Sequence, residues 1–119
     1  MYTIRKRFSF SAAHHLLNLV EGHPCSRQHG HNYEVEIILS LPLPHPATGF
    51  VRDYRDLDLF KKWLDETCDH KDLNEVFPGM QTSAENLCYT FYKWCKEMWP
   101  EVVCVRVSET PKTWAEYQE

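Results

Sequence analysis

"CSRQHGHNYEVEIILSL", residues 25–41, carries two patterns side by side. Tyr33, Val35, Ile37, Leu39 and Leu41 share one parity, while Glu34, Glu36 and Ser40 share the other. That alternation over residues 32–41 predicts a strand with one covered and one wet face. Just ahead of it, Cys25, His29 and His31 place three potential metal ligands within seven residues. A spacing of two at the start of a strand turns His29 and His31 to the same side, so both can reach one ion.

Working outward, residues 2–10, "YTIRKRFSF", repeat the period, with Ile4, Phe8 and Phe10 against Arg5, Arg7 and Ser9. The two strands fit an antiparallel sheet covered on one side. If they form a hairpin, His14 in "SAAHHL" comes to the same end as His29 and His31, with its neighbour His15 as the alternative. Three neutral imidazoles with a fourth position open is the arrangement of a catalytic zinc. Cys25 can be a fourth ligand. Its setting in "EGHPCSRQHGH", with Arg27 and several histidines close by, equally favours a reactive thiolate acting as a general base.

"PLPHPATG", residues 42–49, can be neither helix nor central strand. Asp53 is a candidate N-cap for a helix carrying Leu57, Phe60, Leu64 and Cys68 at three- and four-residue steps and ending near "CDH". The loop "HKDLNEVFPGM" leads to "TSAE", a capping box in which Thr82 caps and Glu85 reaches back. Leu87, Phe91, Trp94, Cys95 and Met98 then form a helical stripe closed by Pro100. Strand alternation returns through Val103, Val105 and Val107, and "TWAEYQE" can pair back as a short last strand. The order ββααββ indicates a single α+β domain spanning residues 1–119.

Composition narrows the function classes. The chain has 119 residues, 43% apolar and 13% aromatic, enough for one core, and a net charge of −4 with no Lys/Arg run longer than Arg5-Lys6-Arg7 argues against nucleic acid or an anionic membrane as partner. It lacks an apolar run of about 18 residues, and "MYTIRKRFSF" lacks a secretory leader's apolar stretch, so a cytoplasmic location is expected. Five cysteines without a C-x-x-C pair read as reduced thiols. Asp69 and His70 form either a proton relay or a helix end whose imidazole meets the dipole. Glu109, in "VSETP", is either solvated or accepts two parallel N–H bonds from a flat heterocycle such as a guanine or pterin.

Six stretches in order, "FSFSAAHHL", "GHPCSRQHGHNYEVEI", "GFVRDYRDL", "DHKDLN", "SAENL" and "VSETPKTWAEY", resemble the 6-pyruvoyltetrahydropterin synthase and QueD family of the tunnelling fold over nearly the whole chain. Three residues separate Cys25 from His-Gly-His, which is similar to the QueD type, the 6-carboxytetrahydropterin synthases of queuosine precursor synthesis. The resemblance implies a four-stranded antiparallel sheet with two helices on one face, assembled as a homohexamer of two trimers with active sites at subunit interfaces. It implies His14, His29 and His31 as Zn2+ ligands, Cys25 as proton-abstracting base, Asp69 and His70 as relay and Glu109 as pterin anchor. Thr110, Ser83 and Arg27 are further candidates for substrate contact, and Lys112, like Arg27, for the triphosphate. The implied substrate is 7,8-dihydroneopterin triphosphate, and no external redox cofactor is expected. Two rival readings are a pyruvoyl synthase that only eliminates triphosphate, and a non-catalytic zinc or pterin binding protein. Many relatives have Pro-Thr before "AEN", where this chain has Thr82-Ser83.

Overall fold

In the computed structural model, which describes residues 1–119, strands β1 (Tyr2–His14) and β2 (His29–Leu41) form a long antiparallel hairpin. Their register runs from Tyr2 opposite Leu41 to His14 opposite His29. Both strands extend beyond the predicted bounds. Ser11-Ala12-Ala13 has little strand preference of its own, but each residue finds a cross-strand partner in Asn32, His31 or Gly30.

After β2 come helix α1 (Asp58–Thr67), the two-residue strand β3 (Lys71–Asp72), the single turn α2 (Leu73–Val76) and helix α3 (Ala84–Met98). Strands β4 (Val102–Thr110) and β5 (Thr113–Gln118) complete a sheet of order β3-β1-β2-β4-β5. The four long strands are antiparallel, as expected. The added β3 makes the sheet five-stranded and mixed, since Lys71 and Asp72 pair parallel with Ala12 and Ala13. Chain leaving α1 crosses the open edge of β1, where pairing satisfies backbone groups that would otherwise lack partners.

Helix α3 packs on β4 and β5, and α1 on β1, so both main helices cover one face. That face buries Phe8, Phe10, Tyr33, Val35, Ile37, Leu39, Val105 and Val107 against Phe60, Leu64, Leu87 and Phe91. Phe8 meets Phe60 edge-on at 5.3 Å, and Phe10 stacks on Tyr33 at 4.8 Å.

Local details depart from the sequence expectation. Val103 is 36% exposed, and Val102 fills the core instead. Pairing runs Ile38 opposite Cys104 but Leu39 opposite Val102, so a bulge at Val103 reverses the parity of the start of β4. Asp53 caps a 3-10 turn over Tyr54–Leu57, and α1 begins only after it. Ser83, not Thr82, is the N-cap of α3, accepting the Asn86 N–H at 3.3 Å. Met98, expected in the stripe, is 42% exposed at the last position of α3.

The opposite face is wet and charged. Glu36, 6% exposed, sits among Arg5, Arg7 and Arg106, whose guanidinium nitrogens lie 3.1–3.2 Å from its oxygens. Burial opposes its ionisation, but bonds from Arg7, Arg106 and Arg5 outweigh it and hold the carboxyl below the usual glutamate range. Trp114 lies between Arg7 and Arg106, with guanidinium-to-ring distances of 5.2 and 4.7 Å. A carboxyl depressed on folding contributes stability above its unfolded pKa, about 4.3, and loses it as pH falls through the folded value. Glu36→Gln is therefore expected to lower unfolding free energy by about 1–2 kcal/mol at pH 7. Urea melts should show this difference shrinking below about pH 4, and a pH-independent difference would assign the loss to packing.

Candidate metal centre and active site

His14, His29 and His31 meet where the hairpin reaches its upper end. Their odd–even placement follows from the pairing: His14 lies opposite His29, and His31 shares the helix-facing parity of Tyr33. Ring centroids of the three imidazoles lie 4.6–5.1 Å apart. His14 is wholly buried, and Tyr33 packs edge-on against both His14 and His31 from below. The cluster therefore rests on the core, not on a loop.

Two of the imidazoles are oriented by their Nδ1 atoms. Nδ1 of His14 donates to the Thr82 carbonyl at 2.8 Å and lies 3.2 Å from the Thr82 hydroxyl, while Nδ1 of His29 donates to the Arg27 carbonyl at 2.7 Å. Each bond selects the tautomer that leaves Nε2 with a free lone pair. Thr82, displaced from the capping role, is thus the residue that turns His14. His15 points elsewhere, with Nδ1 3.2 Å from Gln28 Oε1.

Glu109 brings a fourth group. One potential ligand atom from each of His14, His29, His31 and Glu109 lies within 4.8 Å of all the others. Glu109 Oε2 is 2.9 Å from His31 Nε2 and 3.5 Å from His14 Nε2. Despite this closeness, both Nε2 atoms are buried without a well-aligned hydrogen bond. The carboxylate approaches both atoms without an aligned hydrogen bond, which leaves lone pairs facing a common point that a cation would satisfy. The carboxyl of Glu109 is held below its ordinary range, first by its contact with His14, against the effect of burial, and further by His31 and the Ala84 amide at the start of α3. Burial is the largest influence on His31 and lowers its pKa, with His14 and His29 adding to that and Glu109 opposing it. The imidazole is consequently neutral at pH 7, the form a metal needs. This donor set can hold a divalent metal.

Comparison with known proteins gives the context. The profile of the 6-pyruvoyl tetrahydropterin synthase family matches residues 3–119. The chain belongs to this family. It is 28% identical, over the full length of both chains, to the 6-carboxy-5,6,7,8-tetrahydropterin synthase of Haemophilus influenzae. It also resembles the structure of the Caenorhabditis elegans 6-pyruvoyl tetrahydropterin synthase, with a TM-score of 0.87 and 27% identity over 99% of this chain and 95% of that one. An uncharacterised protein of Wolinella succinogenes shares the fold, with a TM-score of 0.84 at 20% identity, covering 99% of this chain and 98% of that one. The chain is thus an α+β tunnelling-fold protein of the pterin-processing group, and none of its helices is long and apolar enough to cross a membrane.

The remaining candidate residues divide around His31. On one side a groove of about 510 Å³ is lined by Ser11, Asn32, His31, His70 and Lys71. On the other a groove of about 530 Å³ holds Glu109, Thr110, Trp114 and Arg7, again beside His31. Asp69 and His70 form the expected pair, Oδ2 to Nδ1 at 2.9 Å. The other oxygen of Asp69 accepts the Ser11 N–H at 2.8 Å, and the His70 N–H donates to the Ser11 carbonyl at 2.6 Å. His70 has φ +59°, the left-handed conformation that usually ends a helix with glycine.

Cys25 lies in a 3-10 turn, Pro24–Ser26, partly buried and outside the four-residue cluster. Ser83 is engaged as a helix cap, while Thr110 lines the Glu109 groove. Arg27 and Lys112 are exposed and make no ion pair. Sequence reasoning placed Glu109 at a strand end but missed its approach to the histidines, which depends on Glu34 pairing with Ser108 across β2 and β4.

Zinc added to protein freed of metal with a chelator should raise the thermal midpoint, corresponding to about 2.7 kcal/mol when free metal is 100-fold above Kd. His14→Ala, His29→Ala and His31→Ala should each abolish the rise in calorimetry. A full rise in all three variants would place the metal elsewhere.

Proposed function

We propose that this protein is a zinc-dependent carbon–carbon lyase that converts 7,8-dihydroneopterin triphosphate to 6-carboxy-5,6,7,8-tetrahydropterin, releasing acetaldehyde and triphosphate. The observation that carries the reading is the convergence of three imidazoles with Glu109 at one end of the sheet, in a chain where three residues separate Cys25 from His-Gly-His. Three imidazoles suit zinc, and bound there it would act as a Lewis acid on the substrate's side-chain oxygens. His14, His29 and His31 are its proposed ligands.

Glu109 then has the groove-facing carboxylate that can take two N–H bonds from the aminopyrimidine edge of the pterin, with Thr110 beside it. Cys25, as thiolate, takes a proton from the side-chain carbon next to a hydroxyl, and triphosphate departs. The Asp69 carboxylate orients the His70 ring, which returns protons to the pterin, so ring reduction is matched by side-chain oxidation inside one molecule. Water finally supplies the second carboxylate oxygen as the carbon–carbon bond breaks and acetaldehyde leaves. Arg27 and Lys112 are proposed to contact the triphosphate, and Ser83 to contact the substrate. The product would feed queuosine and related 7-deazaguanine synthesis in the cytoplasm, from a homohexamer with sites at subunit interfaces.

A second reading has specific support: the Caenorhabditis elegans relative, at nearly the same identity, is a 6-pyruvoyl tetrahydropterin synthase. Incubation with dihydroneopterin triphosphate separates the two. Acetaldehyde and 6-carboxytetrahydropterin are expected, and accumulation of the pyruvoyl product without acetaldehyde would select the second. Cys25→Ala should keep its metal while turnover falls on the order of 10³-fold. Metal lost with that thiol would instead make Cys25 a ligand and the protein a binding module. Glu109→Gln should raise KM by about tenfold or more with metal content unchanged.

A further inference from the structure

Beyond His14 the chain stops pairing with another strand, yet its backbone continues to be held as if it were one. The His15 N–H donates to Asn74 Oδ1 at 2.9 Å, and Asn74 Nδ2 donates back to the His15 carbonyl at 3.0 Å. Two residues on, the Leu17 N–H donates to Gln81 Oε1 at 2.7 Å, and Gln81 Nε2 donates to the Leu17 carbonyl at 2.7 Å. Each carboxamide presents an acceptor and a donor in one plane, so it reproduces both bonds of a neighbouring strand residue. The spacing of two puts both clamps on the same edge of the segment.

Between them, Leu16 faces the opposite way, and its N–H donates to the carbonyl of Cys25 at 2.8 Å. The other hydrogen bonds within residues 18–26 are local: His23 to Val20, Cys25 to His23, and Ser26 to His23. Gln81 is the one side chain from outside this stretch that bonds residues 16–26, and Asn74 secures the residue just before them; at the far end the Arg27 N–H donates to the Pro24 carbonyl at 3.2 Å and ties the turn to the start of β2. Both amides are themselves anchored. The Asn74 N–H is capped by Asp72 Oδ1 at 3.0 Å, Thr82 Oγ1 lies 3.4 Å from Asn74 Oδ1, and the Gln81 carbonyl accepts from Asn86 Nδ2 at 2.9 Å. Thr82, adjacent to Gln81, also holds His14. One short stretch therefore references the histidine cluster and the cysteine turn to the same frame.

We propose that Asn74 and Gln81 are positioning residues that set the location of Cys25 relative to the three-histidine cluster. The proposal rests on the reading of Cys25 as the base. A displacement of about 1 Å in a reacting group costs on the order of 10²-fold in rate, and removing the Gln81 amide frees the Leu16–Leu17 side of the cysteine turn to shift. The pair acts on the thiol through Leu16 and does not touch substrate.

The test uses the zinc-loaded full chain. In Gln81→Ala, kcat should fall about 10- to 100-fold with KM and zinc content unchanged, while hydrogen exchange at the Leu16 and Leu17 amides accelerates and Cys25 alkylation by iodoacetamide changes in rate. Gln81→Glu keeps the acceptor for Leu17 N–H but loses the donor, and should give an intermediate value. In the Cys25→Ala background, Gln81→Ala should cause no further loss, because its effect passes through the thiol. Asn74→Ala, read by the same measurements, should behave alike. Wild-type kcat and unchanged exchange in Gln81→Ala would overturn the proposal, as would loss of zinc or an additive loss in the double variant. Full activity in Cys25→Ala alone would instead overturn the reading of the base, a result the Gln81 variants cannot produce.

Discussion

The hairpin register of β1 and β2 is the constraint on which the site depends. His14 stands directly opposite His29, and Ala12 opposite His31. Side chains alternate along a strand, so a slip of one residue would turn every helix-facing group of β1 to the wet face. Phe8 and Phe10 oppose such a slip, because they would leave their contacts with Phe60 and Tyr33. Core packing and the geometry of the histidine cluster are therefore the same specification. The aromatic contacts that stabilise the sheet also place the imidazoles.

The same alternation separates two chemistries across the sheet. On the helix-covered side, a wholly buried His14 and a buried Tyr33 give the cluster a dry floor, which strengthens any interaction with charge above it. On the far side, Glu36 and its three arginines form a charged surface that no helix of this chain covers. His31 stands between the Glu109 groove and the His70 groove, so one imidazole borders both the region that would hold a heterocycle and the region that would handle protons.

Much of this was legible in the residues themselves. Parity in "NYEVEIILSL" and "YTIRKRFSF" marked the hairpin, and helical steps through Leu57, Phe60, Leu64 and Cys68 marked residues that are all fully buried. The His-x-His pair reported its own geometry, since a strand leaves only one way to place it. What was not legible depends on relations between distant segments. The bulge that exchanges Val103 for Val102 arises from how β4 is seated on β2, not from the valines. Glu109's approach to the histidines follows from that seating. The choice of Ser83 over Thr82 as cap turned on the tertiary demand of His14 for a neighbour at Nδ1, which local pattern does not encode. Asn74, in the single turn α2, and Gln81, in the loop before α3, lie in a stretch without periodicity, where single side chains do the pairing that a strand would otherwise do.

His70 shows what such relations require of one backbone position. Its φ of +59° is a conformation that glycine adopts readily and that a residue with a Cβ meets at some cost. The position holds an imidazole all the same, tied through its own N–H to Ser11 and through Nδ1 to Asp69. An engineer seeking heat resistance would find this helix end an obvious place to install glycine. The exchange would relieve the backbone and would delete one of the groups that face the groove, so thermal robustness and the proposed proton transfer compete here for a single residue.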